Sequence, residues 1–330
     1  MNDFGPNMID IEETETKNRF PILLQLGILS ILMIGLYGTW IFQIPEPEAP
    51  TTSPSEELIL DNEQYPITPQ KIEQVSLVAK SAYVWDIKGQ RVLYAKNPDE
   101  VLPLASITKL MTTLLAYELV AEDKQLSVPI SAIKQEGSSG LSEGERLTAE
   151  ELTSLALISS SNDAAYTLAA SVGSLLGSQD SASQFVQGMN IRAKELGLHS
   201  LNFKNPTGLD LSLSEPGATG SARDVSFLME YIVTNYPEII APTQQANARI
   251  YNTAGAYHEA SNTNDAISKI PNMIGSKTGY TDLAGGNLTI AFDAGLNRPI
   301  VITVLGSTHD DRFTDVLTLI DAVQKSLTSQ

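Results

Sequence analysis

The sequence predicts an α+β fold in which one antiparallel sheet takes strands from both ends of the globular part and a helical subdomain lies between them. Three observations carry that expectation. Short runs rich in Val, Tyr and Leu open the globular part, further such runs return near its end, and the interval between them shows apolar spacing of three and four. Strands separated by so much helix bury a common face only by closing on each other across the length of the chain.

The elements follow in order. Residues 77–86 and 91–95 read as strands joined through Asp86-Ile-Lys-Gly-Gln90, with Gly89 in the turn. Past Pro103, residues 106–122 turn helical, with Leu110, Leu114, Tyr117 and Val120 or Ala121 on one face. A second helix starts at Thr148, where Thr148 and Glu151 make a capping-box pattern ahead of Leu152, Leu155 and Ile158. Phe185, Met189, Ala193 and Leu196 form a single stripe on a third. Residues 274–280, 287–292 and 300–305 read as strands, the last two joined at Gly295-Leu-Asn-Arg298. From Asp311 onward, Phe313, Val316, Leu317, Ile320 and Val323 share one face of a closing helix.

Composition narrows the function. The chain has 330 residues, a net charge of −18, three histidines and no cysteine. Thiol nucleophiles, disulfides, Cys-bound zinc and iron–sulfur clusters are therefore excluded. No Lys/Arg block offers the clustered cations that phosphate binding needs, so nucleic acid is not an expected partner. No internal repeat is present.

Residues 20–44 contain no charged side chain, and as a helix they would extend roughly 37 Å, enough to cross a hydrocarbon core of ~30 Å. The run is too long for a secretory signal core, and PEPEAP follows it in place of a small-residue cleavage site. Lys17 and Arg19 precede the run, while no cation follows it until Lys71, which sets the N-terminus inside. The expected organisation is a short cytoplasmic tail (1–19), a single transmembrane helix (20–44) in contact with the lipid bilayer, a Pro/Glu/Ser-rich tether (45–72) and a soluble domain (73–330) on the outer side of the membrane.

Several chemistries fail on motifs. The only histidines are His199, His258 and His309, and no GxSxG elbow exists for a serine–histidine triad. HExxH is absent, which removes the usual zinc-hydrolase ligands, and Gly275-Ser-Lys-Thr278 lacks the glycines of a phosphate loop. What remains is a lysine-assisted serine. Ser106-Ile-Thr-Lys109 starts a helix, so its three-residue offset puts both groups on one face near the positive dipole end. Alone the pattern is ordinary, since Ser131-Ala-Ile-Lys134 repeats it. Ser160-Ser161-Asn162 offers a hydroxyl and an amide where the capped helix ends, with Ser200-Leu-Asn202 as a decoy of equal spacing. Lys277-Thr278-Gly279 occurs once, in an expected strand, and supplies a second cation, a hydroxyl and a residue without Cβ.

These three elements in this order are the signature of serine penicillin-recognising enzymes. From about Ser76 to Ala322 the chain resembles the D-alanyl-D-alanine carboxypeptidase family of penicillin-binding proteins, peptidase family S11. The resemblance is carried by PLASITKLMTTLLA, GERLTAEELTSLALISSSNDAA, FVQGMNIRAKELGLHSLNFKNPTGLD, GSKTGYTDLAGGNL and VLGSTHDDRFTDVLTLID. It implies a β-lactamase/transpeptidase-like fold on a bacterial plasma membrane. It also implies hydrolysis of the terminal D-Ala–D-Ala bond of peptidoglycan stem peptides through an acyl-enzyme, and covalent inhibition by β-lactams. It implies no cofactor and no metal.

Roles carried over by the resemblance are Ser106 as nucleophile, Lys109 as general base and Ser160 as proton relay to the leaving amine. Asn162 would hold the substrate amide, and Lys277 and Thr278 would receive the terminal carboxylate. Gly279 would admit the substrate backbone, and the N–H groups of Ser106 and Tyr280 would form the oxyanion hole. Arg312 is either a further carboxylate anchor or a surface ion pair. The base role requires Lys109 to lose a proton near neutral pH, with burial and the like charge of Lys277 as the available causes.

The rivals are a class A β-lactamase, with Glu195 in place of its water-activating acid, a D,D-endopeptidase, and a non-catalytic wall-binding module. The chain departs from many relatives in stopping after one helix past the last strand and in carrying Ser161 where Gly is frequent.

Overall fold

Strict alternation of side chains builds the central sheet. The computed structural model describes residues 71–328 apart from 74, 138, 139, 178 and 179. The expected tail, membrane helix and nearly all of the tether lie outside the described residues. Among the described residues, no helix is long and apolar enough to cross a membrane.

β1 (Ser81–Asp86) and β2 (Arg91–Lys96) form the expected hairpin. The helical region follows: α1 (Lys109–Leu119), α2 (Ala149–Ile158), α3 (Asn162–Gly173), α4 (Ser181–Glu195) and α5 (Ala222–Asn235). A two-stranded ribbon, β3 (Asn247–Tyr251) and β4 (Tyr257–Ser261), leads to the long strands β5 (Met273–Thr281), β6 (Gly285–Asp293) and β7 (Pro299–Ser307). The terminal helix α6 (Asp311–Thr328) closes the chain.

The main sheet runs β5-β6-β7-β1-β2, with every neighbour antiparallel, so both ends of the globular part meet where β1 pairs with β7. The expected α+β arrangement is the observed one. On β7, Ile300, Ile302 and Val304 join the core under α6 with Val316, Leu319 and Val323, whereas Val301 and Leu305 join the core shared with the helices. β1 divides the same way, Ala82 and Val84 against Tyr83 and Trp85. A sheet covered on both faces needs apolar residues at every position, which is why these strands read as continuous Val/Ile/Leu runs. α5 covers the second face through Phe227, edge-on to Trp85 at 5.1 Å, and through a buried hydroxyl chain in which Ser226 Oγ donates to Thr303 Oγ1 at 2.7 Å.

The capping box is formed: Glu151 N–H donates to Thr148 Oγ1 at 3.1 Å and Thr148 N–H to Glu151 Oε2 at 2.6 Å. Two boundaries shift. Ile72, placed in the tether by its sequence, donates its N–H to Leu93 O at 2.9 Å and is buried, so the folded unit includes it. The helix expected over 106–122 begins as a 3-10 turn, Ala105–Thr108, before α1.

Candidate active site

That 3-10 turn sets the reactive pair. Residues i and i+3 eclipse in a 3-10 turn, so Lys109 stacks over Ser106 and its Nζ donates to Ser106 Oγ at 2.7 Å. Ala105 enters the turn at φ 49, and the chain at 207–208 packs hard against it: a Cβ on Gly208 would lie 1.9 Å from Ala105 O. The same segment brings Thr207 O to 2.9 Å from Lys109 Nζ. Asn162 Oδ1 accepts from the same Nζ at 2.8 Å. Lys109 is fully buried, with no carboxylate among the hydrogen-bond partners of its Nζ. Burial foremost, and the like charge of Lys277 second, push its pKa well below the ordinary lysine value.

Ser160 sits between α2 and α3 with φ 59, an uncommon conformation for serine, and this turns its hydroxyl toward Lys277, whose Nζ donates to Ser160 Oγ at 3.0 Å. Ser161, the residue whose side chain the chemistry does not require, caps α3 by accepting from Ala164 N–H at 2.9 Å. Asn162, in the first turn of α3, spends both ends of its amide within the protein: Oδ1 on Lys109 and Nδ2 on Glu136 O at 2.8 Å.

β5 carries the remaining motif along the cleft edge. Lys277 is fully buried and also donates to Thr278 O at 3.0 Å; burial first, then the charge of Arg312, lower its pKa to about 7. Thr278 Oγ1 pairs with Thr263 Oγ1 at 2.6 Å. Gly279 has a different reason for being glycine from the one expected. A Cβ there would stand 2.7 Å from Leu104 O and 3.2 Å from Ser106 N, so the missing side chain lets β5 lie against the nucleophile's own turn.

Arg312 is buried, forms no ion pair with a described residue, and donates from Nη1 to Gly279 O at 3.0 Å, which overturns the surface-ion-pair alternative. Together with Ser106, Ser160, Thr278 and the half-exposed Tyr280, it lines a cleft of about 330 Å³. Thr263, Asp265 and His309 complete its rim. These three and Thr207 carry no motif; tertiary packing alone brings them in.

The decoys lie elsewhere. Lys134 is exposed behind a four-residue helix, and Ser200 Oγ is bonded to Ser221 and Asp224. Glu195, the residue that a lactamase reading needs, is 57% exposed on α4 and pairs with Arg192 at 3.1 Å.

The profile of the family described as D-alanyl-D-alanine carboxypeptidase (peptidase S11) matches residues 68–309. The chain belongs to that family. The D-alanyl-D-alanine carboxypeptidase DacF of Bacillus subtilis is 33% identical over 258 residues, 76% of this chain and 64% of its own length, so the S11 chain described here spans under two thirds of that relative. A D-alanyl-D-alanine endopeptidase of Pseudomonas aeruginosa is 32% identical, over 70% of this chain and 72% of its own. Among solved structures, penicillin-binding protein D2 of Listeria monocytogenes in its ampicillin-bound form superposes with a TM-score of 0.65 at 27% identity, covering 76% of this chain and 98% of that one. The sheet and helical subdomain of this S11 member are thus those of penicillin-binding proteins.

Proposed function

We propose that the protein is a serine D-Ala-D-Ala carboxypeptidase that trims peptidoglycan stem peptides, held at the outer face of a bacterial plasma membrane by residues 20–44. The observation that carries this reading is a fully buried lysine whose Nζ stands 2.7 Å from a serine hydroxyl on the edge of an open cleft. With its pKa lowered, Lys109 supplies a free amine lone pair that takes the Ser106 proton as Oγ attacks the carbonyl carbon of the penultimate D-Ala. The resulting oxyanion falls to the N–H groups of Ser106 and Tyr280. Collapse breaks the C–N bond, and Ser160, bonded to Lys277, relays to the departing amine of the terminal D-Ala the proton that Lys109 took from Ser106, which returns Lys109 to the free amine. Its carboxylate is held by Thr278, Lys277 and Arg312. Water then cleaves the Ser106 ester by the reverse proton path. Asn162 holds the lysine in register and borders the adjoining cleft of about 610 Å³ where the acyl portion extends.

Penicillin-binding protein D2 is described with ampicillin bound, and a β-lactam carries the same carbonyl and carboxylate, so it should acylate Ser106. Relatives named endopeptidase support a second reading in which the leaving amine belongs to a neighbouring stem. The residues that make the acyl-enzyme are the same; only the leaving group differs. The position of Glu195 disfavours a class A β-lactamase, and the assembled pair at Ser106 disfavours a purely wall-binding module.

Intact mass spectrometry after exposure to benzylpenicillin, with peptide mapping, tests the reading. A single adduct on Ser106, lost in Ser106→Ala, is expected; an adduct that survives the substitution overturns it. D-Ala release from pentapeptide, against cleavage of crosslinked dimers, separates carboxypeptidase from endopeptidase. Protease shaving of intact cells that spared residues 73–330 would overturn the topology.

A further inference from the structure

The link between β7 and α6 places on the rim of the cleft a histidine that none of the three motifs includes. His309 presents its two nitrogens to opposite charges: Nδ1 lies 2.7 Å from Asp310 Oδ1, and Nε2 lies 3.4 Å from Arg312 Nη2. Its ring stands edge-on to Tyr280 with centroids 4.9 Å apart. A guanidinium has only donors, so the contact at Nε2 needs a lone pair there; Nδ1 then carries the proton and donates it to Asp310. Arg312 has few other partners. Nη1 is committed to Gly279 O, Nε is buried without one, and the guanidinium lies over the Phe313 ring at 4.7 Å. The link itself is held firmly. A Cβ on Gly286 would stand 1.8 Å from Thr308 O and 3.2 Å from His309 N, and Thr308 Oγ1 caps α6 by accepting from Asp311 N–H at 2.9 Å.

We infer that His309 is a positioning residue for Arg312, and that its protonation state sets how well the cleft holds the substrate's terminal carboxylate. As a neutral imidazole with its tautomer fixed by Asp310, it accepts from Nη2 and keeps the guanidinium aimed into the cleft. Protonated, it loses the lone pair and puts a second cation 3.4 Å from the first. The groups facing it are Asp310, Asp311 and Arg312 from its own segment, Tyr280 from β5, Asp265 across the cleft, and Lys277 buried behind Arg312. The nearest anion, Asp310, has a side chain 93% exposed and so screened by water. The adjacent guanidinium of Arg312 therefore decides the sign: affinity for a carboxylate-terminated substrate falls when the ring takes up a second proton.

This inference rests on Arg312 acting as the carboxylate anchor. The test is KM and kcat for a diacylated D-Ala-D-Ala peptide from pH 5.5 to 8, on the full chain. The part of KM that depends on His309 should rise several-fold toward pH 5.5 in the wild type, against the opposite change as Lys277 gains its proton through about 7, and apart from any change in kcat. His309→Gln, which keeps an uncharged acceptor, should flatten that rise, while His309→Ala should raise KM about three- to tenfold throughout. Arg312→Ala should raise KM by at least as much, with no further rise when His309→Ala is added. A Gln variant that follows the wild-type curve, or additive effects of the two alanines, would overturn the inference. An unchanged KM in Arg312→Ala would overturn it together with the anchor role, and penicillin labelling of Ser106 in that variant would show that the serine-hydrolase reading survives.

Discussion

Ser106-Ile-Thr-Lys109 and Ser131-Ala-Ile-Lys134 share spacing and position at the start of a helical turn, yet differ in everything that makes a serine reactive. Lys109 is wholly buried, has three partners that are all uncharged, and faces Lys277. Lys134 points into water, and the carbonyl of Ser131 serves Gln135 at 3.0 Å. Spacing brings an amine within reach of a hydroxyl, but dehydration and a neighbouring cation decide whether that amine is free to take a proton. The sharpest way to break the comparison is to remove each serine. Ser106→Ala should lower D-Ala release by roughly 10⁵-fold or more, whereas Ser131→Ala should leave it unchanged; equal losses would mean that burial has nothing to do with the chemistry. Next in size is Lys109→Arg, which keeps a cation but removes the base. Penicillin acylation followed by stopped-flow should slow by about 10²–10⁴-fold, with Lys134→Arg indistinguishable from wild type.

A second pair of segments sharpens the point. Ser160-Ser161-Asn162 and Ser200-Leu201-Asn202 again match in spacing, but only Asn162 reaches a buried lysine, while Asn202 is exposed on a two-residue strand. Asn162→Asp would set an anion 2.8 Å from the Lys109 ammonium and favour its charged form. The acid limb of the acylation profile should therefore move up by at least ~1 pH unit, with acylation near neutrality slowed about tenfold or more. Asn202→Asp should do neither. An unmoved limb in Asn162→Asp would remove Asn162 from the control of Lys109.

Why some of this is readable from residues alone follows from where the forces act. Doubly covered strands write their burial at every position, so β5, β6 and β7 are legible within two residues at either end. The capping box of α2 is a local hydrogen-bond pattern and is legible too. α3 is not, because NDAAYTLAASVG is small and apolar on several sides, being packed against α2, α4 and α1, and shows no clean stripe. α5 carries a stripe of Val225, Leu228, Met229 and Ile232 behind Ser221 at its cap and is absent from the expected elements although its signal is present. At the site, Ser106, Lys109, Ser160, Asn162, Lys277 and Thr278 converge as their motifs suggest. Thr207, Thr263, Asp265 and His309 reach the cleft through backbone paths fixed by distant packing, such as the approach of Gly208 to Ala105; Thr207 and His309 lie in stretches that carry the resemblance, but none of the four belongs to the three motifs.

The smallest expected effect concerns stability, and it separates the buried lysines from the exposed one without any catalysis. Lys277 has a native pKa near 7, whereas an unfolded lysine titrates near ~10.4. Below about 7 both states hold the proton and the full cost of burying the charge is present. Between that value and ~10.4 only the unfolded chain binds the proton, so the stability contributed by this group rises with pH, by at most about 1.4 kcal/mol per unit. Lys109, lowered for the same principal reason, adds a slope of the same sign. The urea midpoint of the folded domain, measured from pH 7 to 9.5, should therefore climb more steeply in the wild type than in Lys277→Met, which lacks one titrating group and should be the more stable of the two at pH 7. Lys134→Met should leave the slope alone. A Lys277→Met slope equal to that of the wild type would mean that the cleft holds its second ammonium charged at little cost, leaving that charge in place beside Lys109 throughout the range.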